Sequence, residues 1–253
     1  MTESLRQRFA RWRMEELLLK YPGLGLGPAS YTYVNLAGTL FFCAEGPSKE
    51  RIEDEYKIEI LVPLGFPERI PSVREVAGRI PASFHKLEDG SLCLGSPTRL
   101  RLVLLDSPSI ICFVERCIIP YLYGYSYFEK HATLPFGQLD HGIPGLLQDL
   151  ASLYGIDRTD IVPEFVRLTS MKKGNANKQP CPCGSQSRLG QCHHRQVNRL
   201  RDTLGRNWFR VILQDVRPSP TSANQREYLR WAPRLLLGTR GGALAREFSA
   251  DES

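Results

Sequence analysis

Apolar residues in the first 130 positions follow two different periods. From 3 to 20 they recur at helical spacing, with Leu5, Phe9 and Trp12 at i, i+4 and i+7, then Leu17 and Leu18. This predicts one amphipathic helix, ended by Tyr21-Pro22-Gly23. Packing on a sheet is the plain reading of such a helix; lying on a membrane surface is the alternative. Residues 30–44 and 55–62 are rich in Tyr, Thr, Val, Ile and Phe and read as strands, with Glu45-Gly46-Pro47-Ser48 as the turn between them. Cys43 adjoins the apolar run Leu40-Phe41-Phe42 and is expected in the core. Pro63, Pro67, Pro71 and Pro81 then mark strand edges or bends, since each fixes φ and lacks an N–H.

Arg99 to Leu105 is a further strand candidate. Ser107-Pro108 reads as the cap and first turn of an apolar helix from Ile110 to about Leu122, which Pro120 bends or ends. Cys112 and Cys117 on that helix read as packing residues. Tyr121, Tyr123, Tyr125 and Tyr127 follow, either lining the core or forming an aromatic surface. Pro144 opens a helix running from Gly145 to Tyr154, and Asp160 with Pro163 starts another that runs out in the polar stretch Met171 to Asn175. Residues 196–213 look helical, 218–222 form a loop, and the end of the chain is expected to be flexible.

Between those elements lies Ser83-Phe84-His85-Lys86-Leu87-Glu88-Asp89-Gly90-Ser91-Leu92-Cys93-Leu94-Gly95. Asp89-Gly90 signals a tight turn, and Leu92 and Leu94 flank the thiol as apolar anchors. Taken alone, Cys93 reads as a small buried hydrophobe. The order of features before it resembles the ubiquitin-conjugating enzyme family: the alternating Tyr56 to Pro63 segment, Phe66-Pro67, Ile70-Pro71, then Val73 to Val76. Gly90-Ser91-Leu92-Cys93-Leu94 fits that family's Gly-x-Ile-Cys-Leu segment. Ser83-Phe84-His85 stands in place of its His-Pro-Asn tripeptide, so His85 occupies the asparagine position, and Gly95 replaces the usual aspartate.

The resemblance covers residues 1–155. It implies an α+β fold, a UBC-like antiparallel sheet flanked by helices. It implies Cys93 as the thioester-forming residue and His85 as its companion. The implied partners are a ubiquitin-like modifier, an activating enzyme that the first helix contacts, and a target protein. Related bacterial proteins are encoded beside such partners, in some cases in antiphage defence systems. Two other classes fit the same residues: a non-catalytic adaptor of the same fold, and a cysteine hydrolase with a Cys93–His85 dyad.

A second motif is independent of the first. Pro180-Cys181-Pro182-Cys183-Gly184-Ser185 and Cys192-His193-His194 supply three thiols and an imidazole, a usual structural zinc set. Cys181, Cys183, Cys192 and His193 are the expected Zn2+ ligands, with His194 the alternative to His193. So short a segment builds no core of its own, and the metal would replace one. The spacing resembles the C-terminal zinc (SEC-C) motif of the SecA translocation motor, a recurring small bacterial module. The expected organisation is a conjugating-like domain at 1–155, a helical linker at 156–176, the zinc motif at 177–196 and a helical, partly flexible basic tail at 197–253.

Composition adds three constraints. Seven cysteines, three of them in one short segment, favour a metal site and a free thiol over a disulfide framework. No apolar run approaches the roughly 18 residues of a membrane span, and the charged N-terminus lacks a signal-peptide pattern, so a cytoplasmic location is expected. The net charge of +6 sits in the C-terminal third, with 13 Lys and Arg against 6 Asp and Glu from residue 176 onward. That balance suits an acidic partner or nucleic acid, and equally a solvated arginine-rich tail; no motif supports nucleic acid specifically.

Overall fold

The structure is a computed structural model that describes residues 3–28, 30–135 and 142–216. The fold is α+β. Four strands form one antiparallel sheet in the order β1-β2-β3-β4, each paired with its neighbour in sequence: β1 (Leu24–Leu26), β2 (Tyr33–Glu45), β3 (Arg51–Pro63) and β4 (Ser72–Glu75). In β2, Val34, Leu36, Leu40 and Phe42 face inward; in β3, Ile52, Tyr56, Ile58, Ile60 and Val62 do. The register pairs Leu36 with Ile60 and Leu40 with Tyr56, so the period-two patterns of both strands point to one face. That phase turns Cys43 outward. It is exposed, not in the core, and its sulfur accepts a hydrogen bond from Arg51 Nε at 2.9 Å. Gly38 lets β1 cross close by: its φ is 141°, and a Cβ there would lie 2.1 Å from the Gly23 carbonyl oxygen.

The single helix expected over 3–20 is two, α1 (Leu5–Trp12) and α2 (Met14–Lys20), separated by Arg13 at φ 56°. Trp12 and Met14 are 0% and 1% exposed. Two residues apart on a straight helix they would point about 200° apart, from the 3.6-residue turn. The left-handed residue between them lets both enter the core. Trp12 Nε1 donates to the Phe66 carbonyl at 3.2 Å, and its ring meets the Phe66 ring edge-on at 5.6 Å.

Arg99 to Leu105 is helical, not a strand: it belongs to α3 (Pro97–Asp106). The Ser96 hydroxyl accepts from the Arg99 amide and Pro97 occupies the first turn, two start signals that outweigh the Arg-Leu alternation. Leu100, Val103 and Leu104, at i, i+3 and i+4, face the sheet core, while Leu102 packs against a second core. The next helix is capped by Ser109 rather than Ser107. It runs as α4 (Ile110–Phe113), a π turn (Val114–Ile118) and α5 (Ile119–His131). Pro120 does not end it, because the widened turn beforehand makes room for a ring that would clash in a regular α-helix. Cys112, Cys117, Tyr123 and Tyr125 are buried here.

The first core gathers residues from Trp12 to Tyr125 and lies between the sheet and these helices. The second gathers Leu146 to Val216. It is built by α6 (Gly142–Tyr154), α7 (Val162–Ser170), α8 (Lys173–Asn177), α9 (His194–Leu204) and α10 (Arg206–Val216), with Cys181 and Leu189 of the cysteine motif packed into it. The motif therefore has a helical core beneath it. The loop read at 218–222 and the chain end lie outside the described residues.

Candidate functional site

The His85–Cys93 segment follows β4 as an irregular hairpin. Its turn is closed by Gly90 N–H donating to the Leu87 carbonyl at 2.9 Å, with Gly90 at φ 78°. Asp89 holds the turn by accepting from the Ser91 amide at 3.0 Å. Lys86 and Leu92 form an isolated antiparallel bridge. Just outside it, the Cys93 amide donates to the His85 carbonyl at 2.7 Å, so the two expected site residues are backbone neighbours. Leu92, buried, donates to the Val73 carbonyl of β4 at 2.7 Å and ties the hairpin to the sheet.

His85 has φ 38°, a left-handed conformation uncommon for a residue with a side chain. Its ring lies edge-on to Phe84, with centroids 5.1 Å apart. Tyr121 of α5 holds this backbone: its hydroxyl donates to the Phe84 and His85 carbonyls at 3.1 and 3.2 Å. Burial pushes the Tyr121 phenol up, and the proximity of Cys93 adds to the effect. Sequence reasoning placed Tyr121 among core or surface aromatics; its part in the hairpin depends on a contact across more than thirty residues that no local pattern carries.

Cys93 is partly exposed. Burial of its surroundings pushes the thiol up, while the Gly95 amide directed at it pulls the other way. Burial thus favours the thiol over the thiolate, and nucleophilic attack by Cys93 needs a base or water to take the proton.

The second site lies in the C-terminal core. Cys181, Cys183, Cys192 and His193 offer ligand atoms that all lie within 4.8 Å of one another, a group that could hold a metal ion. Cys181 Sγ is 3.4 Å from Cys183 Sγ and 3.3 Å from His193 Nδ1; Cys192 Sγ is 3.6 Å from Cys183 Sγ and 3.1 Å from His193 Nδ1. A tetrahedron with metal–sulfur bonds of about 2.3 Å has edges of about 3.8 Å. The four groups thus surround a metal-sized space.

Backbone hydrogen bonds set that arrangement. The Cys181 amide donates to Ser187 and the Leu189 amide to Gln179, both at 2.8 Å, making a miniature hairpin. A 3₁₀ turn (Leu189–Gln191) then delivers Cys192, and α9 starts after His193. Phe165 of α7 supports the His193 ring edge-on at 5.4 Å. The group includes His193 and not His194, whose Nδ1 is buried, so the choice between the two histidines falls on His193. Burial opposes the Cys183 thiolate, but hydrogen bonds from Ser185 and from the neighbouring thiols outweigh it and bring the group down to about 6. Burial pushes Cys181 up to about 11.

No protein-family model matches the chain, and neither a curated protein nor a solved structure matches it significantly. No helix among the described residues is long and apolar enough to cross a membrane.

Proposed function

We propose that the protein is a ubiquitin-like-protein conjugating enzyme that accepts a modifier from an activating enzyme on Cys93. The observation that carries this reading is the placement of Cys93: a partly exposed thiol on a hairpin pinned to the sheet through Leu92, to His85 through its own amide, and indirectly to α5 through Tyr121. Such a thiol can be reached from outside while its backbone stays fixed, which acyl transfer requires.

In the first step Cys93 gives up its proton to a base or to water, and its sulfur attacks the carbonyl carbon of the modifier's thioester on the activating enzyme. A new C–S bond forms, and the activating enzyme's thiolate leaves with the electron pair of the broken bond. In the second step an amine of the target attacks the Cys93 thioester, the amide forms, and Cys93 leaves as thiolate, the amine's proton passing to a base or to water. A thiol suits both steps, being nucleophilic as thiolate and a good leaving group. His85 supplies an N–H donor toward the oxyanion of each tetrahedral intermediate; action as a general base is the competing role.

Zinc is the proposed ion of the Cys181, Cys183, Cys192 and His193 group. Three thiolates and one imidazole fill its four positions, so it would cross-link the chain and leave no open position for a substrate. A bacterial, cytoplasmic conjugation system, including an antiphage one, is the context proposed for this activity. Incubation with the activating enzyme, ATP and the modifier tests the reading: a thiol-sensitive adduct forms on the wild type and is lost in Cys93→Ala. An adduct that survives in Cys93→Ala rejects Cys93 as the acceptor.

A further inference from the structure

Only Leu94 and Gly95 separate Cys93 from Ser96, the cap of α3. The Leu94 amide bonds locally to Leu92, and Gly95 sits at φ 139°, a conformation that residues with side chains avoid. Leu94 packs against the first core, and the first side-chain hydrogen bonds downstream of the thiol are those of Ser96, the cap of α3.

That cap is held from the other core. Asp149 of α6 is 7% exposed. Its Oδ2 accepts a short hydrogen bond from the Ser96 hydroxyl, and its Oδ1 accepts from Arg99 Nε at 2.5 Å. The same Ser96 hydroxyl accepts from the Arg99 amide at 3.2 Å, completing the cap. A carboxylate at this helix end is also favoured by the helix dipole. A second contact arrives independently: Trp208 Nε1 of α10 donates to the Thr98 hydroxyl, on a side chain wholly buried in the first turn of α3, at 3.3 Å. Helices of the core that carries the cysteine–histidine group thus grip the chain three to six residues beyond Cys93.

We propose that Asp149 is a positioning residue for Cys93, acting through Ser96 and Arg99 in the first turn of α3, so that the C-terminal helical core sets the placement of the reactive segment. This rests on the reading of Cys93 as the modifier-bearing thiol. It assigns the C-terminal core a part in the chemistry of a segment that the sheet alone leaves held on one side. Releasing Asp149 loosens the chain at Gly95, next to Leu94, and lets the thiol move out of its desolvated setting.

The test is alkylation of the full chain with iodoacetamide across pH, with Cys93 followed in the tryptic peptide 87–99 and Cys117 in the peptide 117–130. Asp149→Asn and Ser96→Ala are expected to lower the midpoint for Cys93. The rate at pH 7 then rises about threefold to tenfold, the change in thiolate fraction for a midpoint about 0.5–1 pH lower. Ser96→Thr, which keeps the hydroxyl, retains the wild-type profile. Cys117, buried in the first core, stays unlabelled throughout. A wild-type Cys93 profile in both Asp149→Asn and Ser96→Ala overturns the proposal. So does Cys93 becoming reactive only together with Cys117, which would make Asp149 a general stability residue. The thioester assay on the same proteins is a separate readout. If the wild type forms no thioester, the conjugating role falls while the alkylation profile still decides on Asp149.

Discussion

The Cys93 amide donates to the His85 carbonyl at 2.7 Å, which makes residues 93 and 85 backbone neighbours on opposite arms of one short hairpin. The eight-residue separation in sequence becomes backbone adjacency because Asp89 and Gly90 fold the chain back between them. His85 pays no regular secondary-structure role here; its left-handed backbone is held by tertiary contacts.

His85 is expected to act in the step that discharges the Cys93 thioester. Removing one preorganised donor to an oxyanion typically costs about 10²–10³ in rate. Single-turnover discharge to a free amine should fall by about that factor in His85→Ala, while His85→Asn, which keeps an N–H donor, retains much of the rate. Loss of the rate in both variants would indicate a general base instead, and equal rates in all three proteins would remove His85 from the chemistry.

Tyr121→Phe should weaken the hairpin without emptying the core. It leaves the ring and removes the hydroxyl that bonds the Phe84 and His85 carbonyls. Losing bonds of this kind costs about 1–2 kcal/mol, readable in urea unfolding. Tyr125→Phe is the control: its hydroxyl donates to the Arg79 carbonyl at 2.8 Å, elsewhere on the same helix. Both variants should lose stability, but only Tyr121→Phe should change the alkylation rate of Cys93. Equal effects on Cys93 would contradict the role given to Tyr121.

Metal analysis of the purified protein should give about one zinc per chain, on the four-ligand logic of such sites. Cys181 and Leu189 pack into the second core, so the metal should stabilise that core as well as the motif. Chelation, or Cys181→Ser with Cys183→Ser, is expected to lower the melting temperature on the order of 5–10 °C, the shift that a loss of about 2–3 kcal/mol gives in a chain of this size. Unchanged metal content in the double variant would reject these ligands.

Asp54 should contribute pH-dependent stability. Burial opposes its charge, but hydrogen bonds from Arg79 and Ser126 outweigh that and hold it at about 2, below its ordinary 3.8. Arg79 engages both carboxylate oxygens, at 2.8 and 2.7 Å, and stacks over the Tyr56 ring at 4.3 Å. A folded-state value below the unfolded one gives stability that is present above about pH 4 and lost as pH falls through about 2. With allowance for the partial exposure of the pair, the contribution is about 1–2 kcal/mol. Asp54→Asn should cost that much at pH 7 and progressively less below pH 4. A cost independent of pH would show that the carboxylate charge is not what matters.

The two long strands were legible in the sequence because Val34, Leu36, Leu40 and Phe42 alternate against Tyr56, Ile58, Ile60 and Val62, whereas the three residues of β1 are too few to show a period. The same rule, followed through, would have turned Cys43 outward; the neighbouring apolar run obscured it. The break at Arg13 was not legible, because helical periodicity records which residues are apolar and not where one backbone angle must reverse. Arg99 to Leu105 misled because a short apolar run fits a strand as well as a buried helix, although Ser96-Pro97 was a helix start in plain view. The three cysteines of the metal-ligand group were legible from spacing, since so few residues must close on one point, while His193 and His194 differ only in where the start of α9 turns them. Tyr121, Ser96 and Asp149 were not, because each meets the Cys93 segment through tertiary contacts.

The most direct test of the central claim is the chemistry of the adduct on Cys93→Ser. With activating enzyme, ATP and modifier, wild-type protein should form an adduct that excess thiol cleaves. The Cys93→Ser protein should instead form an ester that resists thiol and is cleaved by hydroxylamine, mapped by mass spectrometry to residue 93. An adduct on Cys93→Ser that still falls to thiol, or that maps to another cysteine, would contradict Cys93 as the residue that carries the modifier.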